Sequence, residues 1–280
     1  MKRLIATLAG ATLLVLIASC GGETSQEEPP EDVEALMQQA LATMDGLSSY
    51  RLEMGFDALK PIVIEFAAPD SYRVQLWSAD GDAGSSPNTF AETIYVDDRS
   101  YGRQCEAPGE GCGEWEEGER PPTVIAGPSP SFLPGWPLAA LEMAAGLESL
   151  GSEELEGHSL AHVRGSVNHI RAIFENQRRA FAAAGITTFS TECESSTGGQ
   201  LECRDLGYEE TIEREDHLLR YYDVQPAELD VWLAPDDSLV HRIRLDIPPH
   251  DDPYAANRDS GEAVVTIDYS RFNEISIEAP

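Results

Sequence analysis

Between Tyr50 and Leu76 the apolar side chains fall on every second residue. "YRLEMGF" puts Tyr50, Leu52, Met54 and Phe56 on one side and Arg51, Glu53 and Gly55 on the other. "PIVIEF" repeats the pattern with Ile62, Ile64 and Phe66, and "YRVQLW" with Tyr72, Val74 and Leu76. Period-two alternation interrupted by Pro, Asp and Gly marks antiparallel strands with one buried and one wet face. The apolar face needs a cover.

The residues just before supply one. Val33, Leu36, Met37, Ala40, Leu41, Met44 and Leu47 keep a three-four spacing, which builds a single stripe along a helix. Asp32 suits its N-cap and Gly46 its stop. Further on, "ETIYVDDRSYGR" reads as a hairpin turning at Asp97-Asp98, and "GEWEE" as a short strand. Residues 118–136 hold five prolines and three glycines, a loop draped through Val124, Ile125, Phe132, Leu133 and Trp136. A helix is expected over "PLAALEMAAGLESL", with proline in its permitted first turn. "EELEGHSLAHVRGSV" returns to strand, and "NHIRAIFENQRRAFAAAG" is a helix ended by Gly185. The acidic stretch from Ile186 to Tyr222 reads as a surface elaboration. "LDVWLAP", "SLVHRIRLDI" and "AVVTIDYSRFNEISIEAP" finish the chain as strands, the first two joined by a tight turn at Pro235 and Asp236. This order predicts an α+β fold: a large antiparallel sheet with helices on one face, coiled as strand twist accumulates.

The first thirty residues carry an address. Lys2 and Arg3 precede an apolar run from Leu4 to Ile17, about the length of a secretory signal and short for a membrane span. Ile17, Ala18 and Ser19 then lead into Cys20, an order that resembles the bacterial lipobox. That resemblance implies a lipoprotein signal peptide over 1–19 and acyl chains on Cys20, in place of a plain signal peptide or an uncleaved helix. Each buried methylene contributes about 0.8 kcal/mol, so several chains on one cysteine hold a protein at a membrane. Residues 20–31 run from the anchor through "GGETSQEEPPE", which lacks aromatics and reads as a solvated tether. The folded domain is expected over 32–280.

The formal net charge is −31. Nucleic acid and anionic head groups are poor partners for such a surface, because binding them begins with basic residues neutralising phosphates. Beyond Cys20 stand four cysteines, Cys105, Cys112, Cys193 and Cys203. An even number in an exported chain suggests two disulfides. Three pairings are open, and the local one closes "CEAPGEGC" and "CESSTGGQLEC". A four-thiolate zinc site lacks the usual CxxC spacing.

Taken as an ordered set, several phrases resemble a family. "ALATMDGLSSYRLEM", "PDSYRVQLW", "TIYVDDRSYGR", "EELEGHSLAHVRGSV", "LDVWLAPDDSLVHRIRLDI" and "VVTIDYSRFNEISIEAP" are similar to bacterial lipoproteins of the LolA-like and LppX/LprG-like superfamily. The segments 118–136 and 166–228 look peculiar to this chain, the latter a helical, disulfide-bearing insertion. The resemblance implies a curved open half-barrel whose concave side is closed by helices, with acyl chains held between. Tyr50, Leu52, Met54, Phe56, Ile62, Ile64, Phe66, Val74 and Leu76 would then line the cavity, with Leu36, Met37, Leu41 and Met44 over it. The same residues would equally make an ordinary core.

Catalytic chemistry has little support. GxSxG, Walker, GxGxxG and HExxH patterns are absent from the sequence. His158 and His162 are four apart, but in a strand that separation spans about 13 Å, too far for one ion. "HDDPYAANRDSGE" offers oxygens without the ligand spacing of an EF-hand loop. The expectation is a non-enzymatic protein without cofactor or metal, anchored on the extracytoplasmic side of a membrane and binding lipid or lipoprotein acyl chains. The alternative is an envelope sensor with a filled core and a protein partner.

Overall fold

The computed structural model describes residues 32–56, 59–77, 90–119, 135–183, 185–188, 190–195, 201–251, 259–260 and 263–280. The Asp32 carboxylate accepts the Ala35 N–H at 2.9 Å and caps α1 (Val33–Asp45). β1 (Ser49–Phe56), β2 (Leu59–Ala67), β3 (Ser71–Trp77), β4 (Phe90–Val96), β5 (Arg99–Cys105) and β6 (Glu116–Glu119) follow as a meander. Then come α2 (Trp136–Glu142), β7 (Ala145–Leu155), β8 (His158–Val167) and α3 (His169–Ala183). β9 (Ser190–Ser195) pairs with β10 (Leu201–Leu206), and α4 (Tyr208–Arg214) and α5 (Asp216–Val224) lead to β11 (Ala227–Leu233) and β12 (Val240–Ile247). A two-residue ladder of β13 (His250–Asp251) and β14 (Asp259–Ser260) precedes β15 (Ala263–Ser270).

Eleven strands form one open antiparallel sheet in the order β6-β5-β4-β3-β2-β1-β15-β12-β11-β8-β7. The two halves of the chain meet where the first strand pairs with the last, Leu52 opposite Tyr269 and Met54 opposite Ile267. This is the α+β half-barrel. Its inner face carries the even-numbered apolar residues of β1 to β3, buried or packed against the core, together with the buried Val265, Ile267, Ile243, Leu245, Leu229 and Val231. α1, α2 and α3 close over that face through Met37, Ala40, Met44, Trp136, Ala140 and Ala172, which join the same cluster.

The outer face is built from the alternate residues and is charged. Glu65, Glu92 and Asp230 are buried there, each among cations. Glu65 lies within 3.5 Å of Arg51, 3.2 Å of Arg73 and 3.0 Å of Arg271. Arg103 grips Glu92 at 2.6 Å and stacks over the Trp115 ring. A buried carboxylate is tolerated when its charge is paired and its lone pairs are filled.

Three expectations need correction. The helix expected over 137–150 stops at Glu142, and Ala145–Leu155 is the edge strand β7. Register shifts between Ala145 and Glu148 and between Ser149 and Gly151 break its alternation, which is why the period-two signal fails there. Glu156 and Gly157 both take positive φ, at 53° and 85°, and turn β7 tightly into β8. The short strand after the Cys105–Cys112 loop is Glu116–Glu119, displaced from the expected "GEWEE". The final strand ends at Ser270, not at the end of the chain. Arg271 and Asn273 turn the backbone with φ of 53° and 60°. The Asn273 N–H then donates to the Ser49 carbonyl at 2.8 Å, and Ile277 buries itself against Ala67 and Ile94 on the outer face.

Cys105 and Cys112 are disulfide-bonded, closing the first small loop. Cys193 and Cys203 face each other across the β9–β10 ladder, and Cys203 is disulfide-bonded. The 186–222 stretch is more than surface ornament: Leu219 and Tyr222 of α5 are buried, and the Tyr222 ring meets His169 of α3 edge-on at 4.5 Å. Residues 1–31, the 120–134 part of the proline-rich loop and most of "HDDPYAANRDSGE" lie outside the described residues.

Candidate ligand-binding face

Strand alternation and the α1 stripe bring all thirteen sequence-selected residues into one cluster. Met37, Met44, Tyr50, Leu52, Met54, Ile62, Ile64 and Val74 are buried in it, and Leu36, Leu41, Phe56, Phe66 and Leu76 pack against it. The sequence reading missed the other half of the face. β8, β11, β12 and β15 contribute more inward residues than β1 to β3, and Trp136 joins them from α2. Their alternation was legible; that they would share one surface with β1 depended on the β1–β15 pairing.

A row of aromatic rings crosses four strands of this face. Tyr72 and Phe66 stand 5.3 Å apart, Phe66 and Tyr50 5.2 Å, and Tyr50 and Tyr269 5.7 Å, measured between ring centres. Burial, and then the neighbouring Tyr72, pushes the Tyr50 phenol well above its ordinary range. Burial, and then Tyr50, does the same to Tyr269. Both stay neutral donors at any physiological pH. The Tyr269 hydroxyl and the Trp136 indole N–H are buried without a hydrogen-bond partner among the described residues. Unpaired polar atoms in an interior cost about 1–3 kcal/mol each. The face is thus greasy, aromatic and supplied with two spare donors.

The remaining chemistry-bearing residues are arranged for structure. His162 does not share an ion with His158. Its Nε2 lies 2.7 Å from Asp230 and its Nδ1 3.1 Å from Glu153, while its ring stacks on Trp232 at 4.4 Å. Burial opposes ionisation of Asp230, but hydrogen bonds from Arg164 and His162 outweigh it and hold the carboxyl below its ordinary range. Glu228, Asp230 and Asp246 gather on the outer face, where Arg164 and Arg244 already neutralise them. Among the described residues no helix is long and apolar enough to cross a membrane.

The fold has a counterpart among solved structures. The chain matches LprF from Mycobacterium bovis with a TM-score of 0.50 and 11% identity, over 88% of this chain and 95% of that one. It also matches the lipoprotein LppX from Mycobacterium tuberculosis, with a TM-score of 0.43 and 12% identity, over 88% and 100% of the two chains. At 11% identity the match to LprF speaks to architecture. The chain has the fold of LprF. No protein-family model matches the sequence. No curated protein matches it.

Proposed function

We propose that this chain is a membrane-anchored, non-enzymatic lipoprotein that binds the acyl chains of a lipid or lipoprotein against the inner face of its half-barrel, for transport or storage in the cell envelope. The observation that carries the reading is the continuous apolar face that the sheet, from β4 across to β7, presents to three covering helices. The lipobox-like run into Cys20 supports an extracytoplasmic anchor. An acyl chain entering such a face gains about 0.8 kcal/mol for each methylene it removes from water, so no catalytic group is required. Cys20 holds the protein near its cargo.

One observation favours a second reading, an envelope sensor that docks a protein partner. Leu52, Met54 and Ile64 are fully buried by the protein's own atoms. A face already filled would need no guest.

Lipid extraction separates the two. Protein expressed without residues 1–19 and analysed by mass spectrometry is expected to release bound acyl species, and after delipidation to bind a fluorescent fatty acid. Leu52→Trp is expected to abolish loading while far-ultraviolet dichroism stays unchanged, since one overpacked side chain costs about 1–3 kcal/mol. Lipid-free protein that ignores the fatty acid overturns the carrier reading and leaves the sensor.

A further inference from the structure

Two histidines that are far apart in the sequence meet in the fold. His158 opens β8 directly after the Glu156–Gly157 turn, and His241 is the second residue of β12. β11 lies between those strands in the sheet. Its pairing with β8 ends at Leu233 opposite Ala161, so β8 runs on past it toward His158. There the imidazole of His158 reaches that of His241, with ring centres 5.7 Å apart and planes inclined at 33°. The Phe272 ring backs His241 edge-on at 5.5 Å.

Both rings line a cavity of about 250 Å³, together with Glu53, Glu156 and Asp268. Two imidazoles that share one ion at Zn–N bonds of about 2.0–2.1 Å place their ring centres about 5–6 Å apart. The observed separation falls in that range. Arg242 donates to Glu156 at 3.3 Å and to Asp268, and Arg51 lies 3.5 Å from Glu53. Three carboxylates thus surround the pair against two guanidiniums, and the chain as a whole carries −31. A hard cation such as Mg²⁺ or Ca²⁺ prefers oxygen ligands, whereas imidazole nitrogen suits Zn²⁺, Cu²⁺ and Ni²⁺.

The geometry points to His158 and His241 as a two-imidazole binding site for a divalent transition-metal ion, with water completing the coordination. The site lies at the end of β8 and β12. It closes the gap between two strands that do not pair with each other, so a bound ion would brace that end of the sheet.

The test uses the full chain in detergent, stripped of metal, with Zn²⁺ titrated against a fluorescent zinc chelator under a large excess of Mg²⁺. One Zn²⁺ per chain with micromolar affinity is expected. Replacing both ligands (His158→Gln with His241→Gln) should weaken binding at least about tenfold, while His217→Gln leaves it unchanged. In the unmodified protein, the imidazole proton signals of His158 and His241 should move with Zn²⁺, a readout that survives if the double variant folds poorly. Binding that Mg²⁺ displaces, binding undiminished in a folded double variant, or imidazole signals that do not respond would each overturn the assignment.

Discussion

His169 sits at the start of α3, buried, with its Nδ1 unpaired and its ring against Tyr222. Burial lowers its pKa from 6.5 to about 4. Between those values the unfolded chain binds a proton that the folded chain refuses, so stability rises with pH there. The contribution is complete above about pH 6.5, falls as the pH drops toward 4, and is lost below it. Its size is on the order of 3 kcal/mol, since each pKa unit is worth about 1.4. Urea unfolding midpoints should therefore drop between pH 7 and 4.5. In His169→Phe, which keeps the edge-on contact with Tyr222, most of that drop should vanish; an unchanged slope would place the acid sensitivity elsewhere. Single residues were otherwise the hardest features to read in advance. The approach of His158 to His241 and the two carboxylates around His162 depend on strand neighbours that the sequence does not announce.

At the scale of elements, legibility followed how cleanly one face was buried. α1 and β1 to β3 alternate or repeat without interruption and were placed closely. The first half of β7, residues 145–150, reads as helix because two register shifts erase its period and Ala-rich residues precede it. The tail after Ser270 reads as strand because Ile275 and Ile277 alternate with polar residues, yet two residues in left-handed conformation fold it back. β7 also depends on a close approach. A Cβ on Gly165 would stand 2.8 Å from Leu147 Cδ2 and 3.1 Å from the Ala145 carbonyl oxygen, and the latter, being backbone, yields poorly. Gly165→Val should thus push β7 off β8. Amide hydrogen exchange is expected to accelerate across 145–155 while β1 and β2 keep their protection; uniform exchange throughout would mean that β7 is not separable from the rest.

For the whole molecule, the decisive contact joins the ends of the sequence. β15 lies between β1 and β12, so the sheet has no continuous centre until the last strand arrives. Non-local pairing of this kind folds slowly and leaves apolar edges open meanwhile. A chain ending at Pro249 lacks β15 and should fail to acquire a cooperative unfolding transition by dichroism, although it keeps most of its helices and strands. If it melted cooperatively, the two halves would be independent. The thirteen residues that strand alternation and the α1 stripe pick out lie in or against the shared interior, because each periodicity fixes a face. Whether that interior accepts a guest is a question of volume, which periodicity does not encode.

The chain's final segment, with Ile277 pressed against Ala67 and Ile94, leaves Pro280 exposed on the side of the sheet away from the helices. A fluorophore or affinity handle appended there would ride on the back of the molecule, out of the way of anything approaching the helix-covered front. That makes the last residue a better place for instrumentation than the neighbourhood of Asp32, where a bulky attachment would crowd the cap of α1.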